Sequence, residues 1–154
     1  MQVDHYSKFL RDKAFVSPPC GLKSIPNLSP QLFHFQRDIV RWGLRRGRAA
    51  IFADCGMGKT FMQLEWARHI PGNVLILAPL AVSGQTVIEG EKFHEPVRYC
   101  RDQSKVEPGI TITNYEMLPH FDPDYFTGIV LDESSILKAF DGKTRTAIIE
   151  TFKN

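Results

Sequence analysis

Apolar positions along this chain follow two rhythms, one of short continuous runs and one of helical spacing. The continuous runs are RAAIFA (48–53), NVLILA (73–78), PVRYC (96–100), GITIT (109–113) and GIVLDE (128–133). Each has the length of a strand, and an unbroken apolar run is what a parallel strand buried on both faces requires. Helical spacing marks the segments between them. Ser29-Pro30 reads as an N-cap followed by proline at the first helical position, opening a helix that runs to about Arg46 and is stopped by Gly47. TFMQLEWARHI (60–70) is helical up to Pro71-Gly72, residues 83–93 form another helix, and KTRTAIIETF (143–152) is amphipathic, with Ala147, Ile148, Thr151 and Phe152 on one stripe. Residues 4–15 fit a short helix, and the proline-rich stretch 17–30 is irregular. Strands alternating with helices predict an α/β fold around a mostly parallel sheet.

Composition narrows the class without naming a partner. The 154 residues are 43% apolar and 23% charged with a net charge of +2, which suits one domain with a real core. Three dispersed cysteines, Cys20, Cys55 and Cys100, make neither a disulfide framework nor a zinc motif, and point to a reducing, cytoplasmic setting (the host cytoplasm for a viral chain). No run is long enough to span a membrane, so no membrane partner is expected.

The chemistry concentrates where the first strand hands over to a helix, at ADCGMGKT (53–60). Glycines let backbone amides approach an anion, and the following helix N-terminus adds positive potential. Ala53, Cys55, Gly56, Met57 and Gly58 are therefore the candidate phosphate cradle. Lys59 supplies a point charge for the β- and γ-phosphates, and the Thr60 hydroxyl is a ligand for magnesium. The usual pattern begins with glycine; here Ala53 takes that place.

A triphosphate site needs a carboxylate for the metal and a group to polarise water, both from another strand tip. GIVLDE ends in Asp132 and Glu133, candidates for holding hydrated magnesium and for activating water. In the helix up to Arg46, Gln36 shares a face with Phe33, Val40 and Leu44. Its amide suits an adenine edge; a glutamine bonded to backbone at the rim of the stripe is the alternative. Arg37, Arg41 and Arg45 form a cationic row on the opposite side, either a solvated face relieved by Asp38 or a contact surface.

In this order the motifs resemble those of the first RecA-like lobe of superfamily 2 helicases and translocases, closest to Swi/Snf-type ATPases and phage DEAD/DEAH-like helicases. LFHFQRDIVRW (32–42) is similar to the adenine-reading glutamine segment and ADCGMGKT to motif I. VLILAPLAVSGQTVIE (74–89) resembles motif Ia, ITITNYEML (110–118) motif Ib, and VLDESS (130–135) motif II. The resemblance implies a P-loop NTPase fold, a three-layer RecA-like sandwich spanning residues 29–154 after an extension and linker at 1–28. It implies ATP and magnesium as cofactors, with Lys59 and Glu133 as catalytic residues. It implies a nucleic-acid partner, DNA in preference to RNA, touched through Pro79, Ser83, Thr113, Asn114 and Tyr115. Such hydroxyl, amide and aromatic groups can hold a strand by its backbone.

The resemblance also implies a motif III strand between those of motifs I and II, and arginine fingers from a second RecA-like lobe. Neither occurs before Asn154, so a lobe incomplete at its C-terminus is expected. The sheet should then carry a gap, or its first and last strands should pair directly. Two other functional classes stay open: a different P-loop NTPase or small-molecule kinase, for which there is no sign of an acceptor pocket or lid, and a non-catalytic relative that binds nucleic acid or a partner.

Overall fold

The computed structural model describes residue 7 and residues 18–134 and 142–152. The expected helix at 4–15 and residue Ser135 of the last motif lie outside the described residues. Four strands, β1 (Val74–Ala78), β2 (Val97–Tyr99), β3 (Ile110–Asn114) and β4 (Gly128–Leu131), form one sheet in the order β2-β3-β1-β4. All three pairings are parallel, with Val74 opposite Ile110 on one side and Gly128 on the other. The helices are α1 (His34–Arg46), α2 (Lys59–Arg68), α3 (Leu80–Lys92) and α4 (Lys143–Thr151). Among the described residues, no helix is long and apolar enough to cross a membrane.

β1 is buried at all five positions, and its alternation divides the core between two layers. Leu75 and Leu77 face a cluster with Tyr115, Leu118, Phe126 and Ile148 of α4. Ile76 and Ala78 face the other way, against Leu64 of α2 and Ile112 of β3. A third cluster joins α1 to α2 through Val40, Leu44, Phe61 and Met62, and Phe61 stacks on Phe93 with ring centroids 3.7 Å apart. Helices therefore cover both faces of a parallel sheet, the α/β fold the alternation predicts and the three-layer form the resemblance implies.

Two local expectations are corrected. The helix expected from Ser29-Pro30 begins instead at His34. Ser29 is engaged elsewhere: its amide donates to the buried Glu65 carboxylate at 2.7 Å, and its hydroxyl accepts from Gln31 N at 3.3 Å, making a turn. The amide of Phe33 then donates to the Gln36 side chain at 2.9 Å, a glutamine at the third helical position reaching back to the cap. The irregular stretch also has a structural task. The amides of Cys20, Gly21 and Leu22 donate to the carbonyls of Arg46, Arg45 and Leu44, satisfying the last turn of α1. A side chain at Gly21 would run into the Leu44 carbonyl.

The second correction concerns RAAIFA. Residues 49–54 belong to no strand, Ile51 is 41% exposed and Phe52 is 94% exposed. A strand exists only through hydrogen bonds to a neighbour, and among the described residues β4 pairs with β1 alone, with no strand on its other edge. Residues 48–52 and β4 instead line a cleft of about 720 Å³, together with Trp66, Ile70 and Phe152.

Candidate functional site

The loop after residue 53 turns on positive-φ glycines, Gly56 at 77° and Gly58 at 72°. Gly58 is the residue preceding α2, in the left-handed conformation, and a Cβ there would collide with the Gln36 amide. Over Gly56 the space is open, since a Cβ there would meet nothing within 4 Å. The loop is thus a cradle rimmed by backbone at the N-terminus of a ten-residue helix, a geometry suited to an anion. Lys59 folds over it: its ammonium donates to the carbonyls of Ala53 at 3.0 Å and Asp54 at 3.2 Å. Cys55, whose amide donates to the Asp54 carboxylate at 2.7 Å, and Met57 are exposed along the loop.

Gln36 is 4% exposed and its amide is committed to backbone on both sides. The oxygen accepts from Phe33 N, and Nε2 donates to the Met57 carbonyl at 2.9 Å. In this structure the glutamine ties α1 to the phosphate loop, which is the backbone-bonded alternative. Its remaining N–H and lone pair are the capacity left for a base edge. On the outer side of α1, Arg41 pairs with Asp38 at 2.9 Å, and Arg37 lies 3.4 Å from the His34 ring.

Asp132 follows β4 immediately and is held from three directions. Its amide donates to the Leu77 carbonyl at 2.8 Å, its carbonyl accepts from the Tyr115 hydroxyl at 2.6 Å, and Oδ1 accepts from Gln63 Nε2 at 2.8 Å. Gln63 sits one turn after Thr60 on α2, so the last bond brings the carboxylate alongside the helix that Lys59 and Thr60 open. The next residue, Glu133, has φ 51°, a left-handed conformation unusual for a residue with a side chain. Backbone strain of this kind is concentrated at functional sites.

No three His, Cys, Asp or Glu side chains converge into a metal cage among the described residues. The donor set present is one hydroxyl, Thr60, and one oriented carboxylate, Asp132. That set fits magnesium, which keeps several waters and binds through one or two protein oxygens plus ligand phosphates. When bound, such an ion supplies charge neutralisation for the phosphate oxygens and a template for attack.

The residues expected along a nucleic-acid strand are placed differently from one another. Pro79 is half-buried and directly precedes α3 at the carboxyl end of β1. Ser83 is buried, its hydroxyl donating to the Pro79 carbonyl at 3.3 Å. Thr113 and Asn114 are buried, and the Asn114 amide is engaged by Tyr99 and Glu116. Tyr115 is 4% exposed, and burial pushes its phenol well above the usual range, so it stays a donor to Asp132. Gln63 and Glu65 are the residues that motif reading passed over. The available signal was two polar side chains within FMQLEWA, a segment otherwise facing the core.

No protein-family model matches the sequence, and no curated protein is a detectable relative. Among solved structures, the crystal structure of the UvsW helicase from bacteriophage T4 matches with a TM-score of 0.65 at 18% identity. The fold is RecA-like. The match takes in 95% of this chain and 55% of the UvsW chain, so the RecA-like lobe described here spans about half the length of that helicase. At that identity the likeness speaks for the fold alone.

Proposed function

We propose that this chain is the ATP-binding lobe of a nucleic-acid-dependent ATPase, a helicase or DNA translocase, which hydrolyses ATP with magnesium when completed by a second lobe. One observation supports the proposal: the Asp132 carboxylate at the tip of β4 accepts a hydrogen bond from Gln63 on the helix that the phosphate loop opens. That bond joins residues 69 apart in sequence and links the two elements that a triphosphate site would need side by side. In this proposal Lys59 neutralises phosphate charge, Thr60 and Asp132 hold the hydrated ion, and Glu133 orients the attacking water. In this proposal a nucleic-acid phosphate is received at the N-terminus of α3, next to Pro79, where no side chain caps the helix. The buried Ser83, Thr113, Asn114 and Tyr115 would act by holding that edge rather than by direct contact. The cleft between residues 48–52 and β4 fits an added parallel strand from further polypeptide, and the second lobe would follow from it.

A second reading, a non-catalytic relative that binds a partner, is favoured by the same cleft and by Phe52 on its flank. Calorimetric titration separates the two. With magnesium present, ADP is expected to bind more than tenfold more tightly than AMP, because the β-phosphate is what reaches the loop amides and Lys59. Equal affinity for ADP and AMP, or no binding of either, would sink the nucleotide reading and leave the partner-binding one.

A further inference from the structure

We infer that Gln63 is a positioning residue for the metal carboxylate, fixing Asp132 in the orientation that leaves its second oxygen for a magnesium-bound water. The inference rests on the nucleotide-site reading above and extends it to a residue outside every motif considered.

The geometry has three parts. Gln63 is on α2, three residues after Thr60, and is half-buried at the head of the cleft with Lys59. Its Nε2 donates to Asp132 Oδ1 at 2.8 Å, a good hydrogen bond between residues 69 apart in sequence. The backbone of Asp132 is already fixed at both ends, by Leu77 O and by the Tyr115 hydroxyl. What those two bonds leave undetermined is the rotation of the side chain, and the amide of Gln63 supplies that restraint.

The residue type matters as much as the position. A carboxylate has about four lone-pair sites on two oxygens, and a single amide donor occupies one of them. A neutral donor orients the group without cancelling its charge. An arginine or lysine at this place would pair with Asp132 and compete with a divalent cation. A glutamate would place two carboxylates together and favour sharing a proton over binding metal. Glutamine also sits on the same helix face as Thr60, so one rigid element sets both proposed metal groups relative to each other. Partners that orient metal-binding groups from outside the coordination sphere commonly change metal affinity by about tenfold or more when removed.

The test uses Mn²⁺ as a spectroscopic substitute for magnesium and the 154-residue chain saturated with ADP. Electron paramagnetic resonance reads Mn²⁺ affinity, and ADP affinity in EDTA is measured separately. Gln63→Met, which keeps length and apolar volume, is expected to weaken Mn²⁺ binding about tenfold while leaving metal-free ADP affinity unchanged. Combined with Asp132→Asn, the same change should have no further effect, because the residue acts through that carboxylate. Gln63→Ala should repeat the result if the methionine packs poorly. Mn²⁺ affinity unchanged in both variants, or a full tenfold loss persisting on the Asp132→Asn background, would overturn the inference while the ADP site stood. A parent chain that binds no ADP would instead bring down the nucleotide reading, and this inference with it.

Discussion

Lys59→Ala is expected to remove nucleotide binding, raising the ADP Kd by about a hundredfold, equivalent to roughly 3 kcal/mol. The ammonium now bonds the carbonyls of Ala53 and Asp54 at 3.0 and 3.2 Å, and so closes the loop on itself. Of its three donors, those two bonds hold the loop in shape, and a phosphate arriving at the cradle would take the charge they leave unneutralised. Alanine loses both functions, the point charge and the stitch across residues 53–59. The loop glycines remain, so backbone amides still face the cradle, and weak residual binding of inorganic phosphate should survive. Thermal melting provides an independent check. ADP at a hundred times its parent Kd stabilises the folded state by about 2.7 kcal/mol. At the same concentration the variant should gain only about 0.4 kcal/mol. The apo melting temperature should barely move, because the loop is exposed from Asp54 to Gly58 and buries little apolar surface. ADP affinity within twofold of the parent would show that Lys59 does not face the ligand.

How far the sequence could be read depended on whether a feature was local. β1, β3 and β4 were legible because continuous apolar runs bounded by turn residues suffice to mark buried parallel strands. RAAIFA has the same signature and is not a strand, because strand formation also needs a partner edge, and that is not a local property. The turn at Ser29 was misread as a helix cap for a comparable reason: its amide is claimed by Glu65, 36 residues away. Lys59, Thr60 and Asp132 are candidates read from spacing, and the bond from Gln63 to Asp132 links the elements that carry them. Tyr115 illustrates the limit. A hydroxyl and a ring at the end of GITIT suggest a surface contact, yet the ring is buried and the hydroxyl is bonded to the Asp132 carbonyl. The exposure of an aromatic at a strand end is decided by the cluster it joins, here with Leu77 and Ile148 from two other segments and Leu118 of its own turn.

The same bond makes Tyr115 a mechanical link between the end of β3 and the carboxylate strand tip. In the proposed function these are the nucleic-acid side and the metal side of one lobe. A shift of the 3₁₀ turn that follows β3, Tyr115–His120, would be felt directly at the backbone of Asp132. Under that proposal, coupling of ATP hydrolysis to a nucleic-acid strand would need no long pathway, because the two sides would share this hydrogen bond.

Replacing Glu65 should have the largest effect on stability of any single change at a polar side chain, about 3 kcal/mol for Glu65→Ala. The carboxylate is 0% exposed within α2, where an isolated charge would be prohibitive. Donors gather at Oε1, while Oε2 has no hydrogen-bond partner and only the Arg68 cation nearby. Oε1 accepts from Ser29 N at 2.7 Å and lies 3.2 Å from His69 Nε2, and Arg68 approaches Oε2 at 3.6 Å. Arg68 in turn pairs at 2.7 Å with Glu95, whose carboxyl is raised by burial against the pull of that arginine. Glu65 thus fastens the segment before α1 to α2, while Arg68 fastens α2 to the turn after α3. Alanine would strand the Ser29 amide and leave a cavity, whereas Arg68 would keep Glu95. Glutamine keeps the shape and one acceptor oxygen, so Glu65→Gln should cost only about 1 kcal/mol. Urea denaturation should give those two values in that order, with unchanged slopes. Because the turn at Ser29 sets where α1 starts, and α1 carries Gln36 onto the phosphate loop, the alanine variant should also weaken ADP binding. Equal losses for alanine and glutamine would mean that charge, not the bond to Ser29, is what α2 requires at this position.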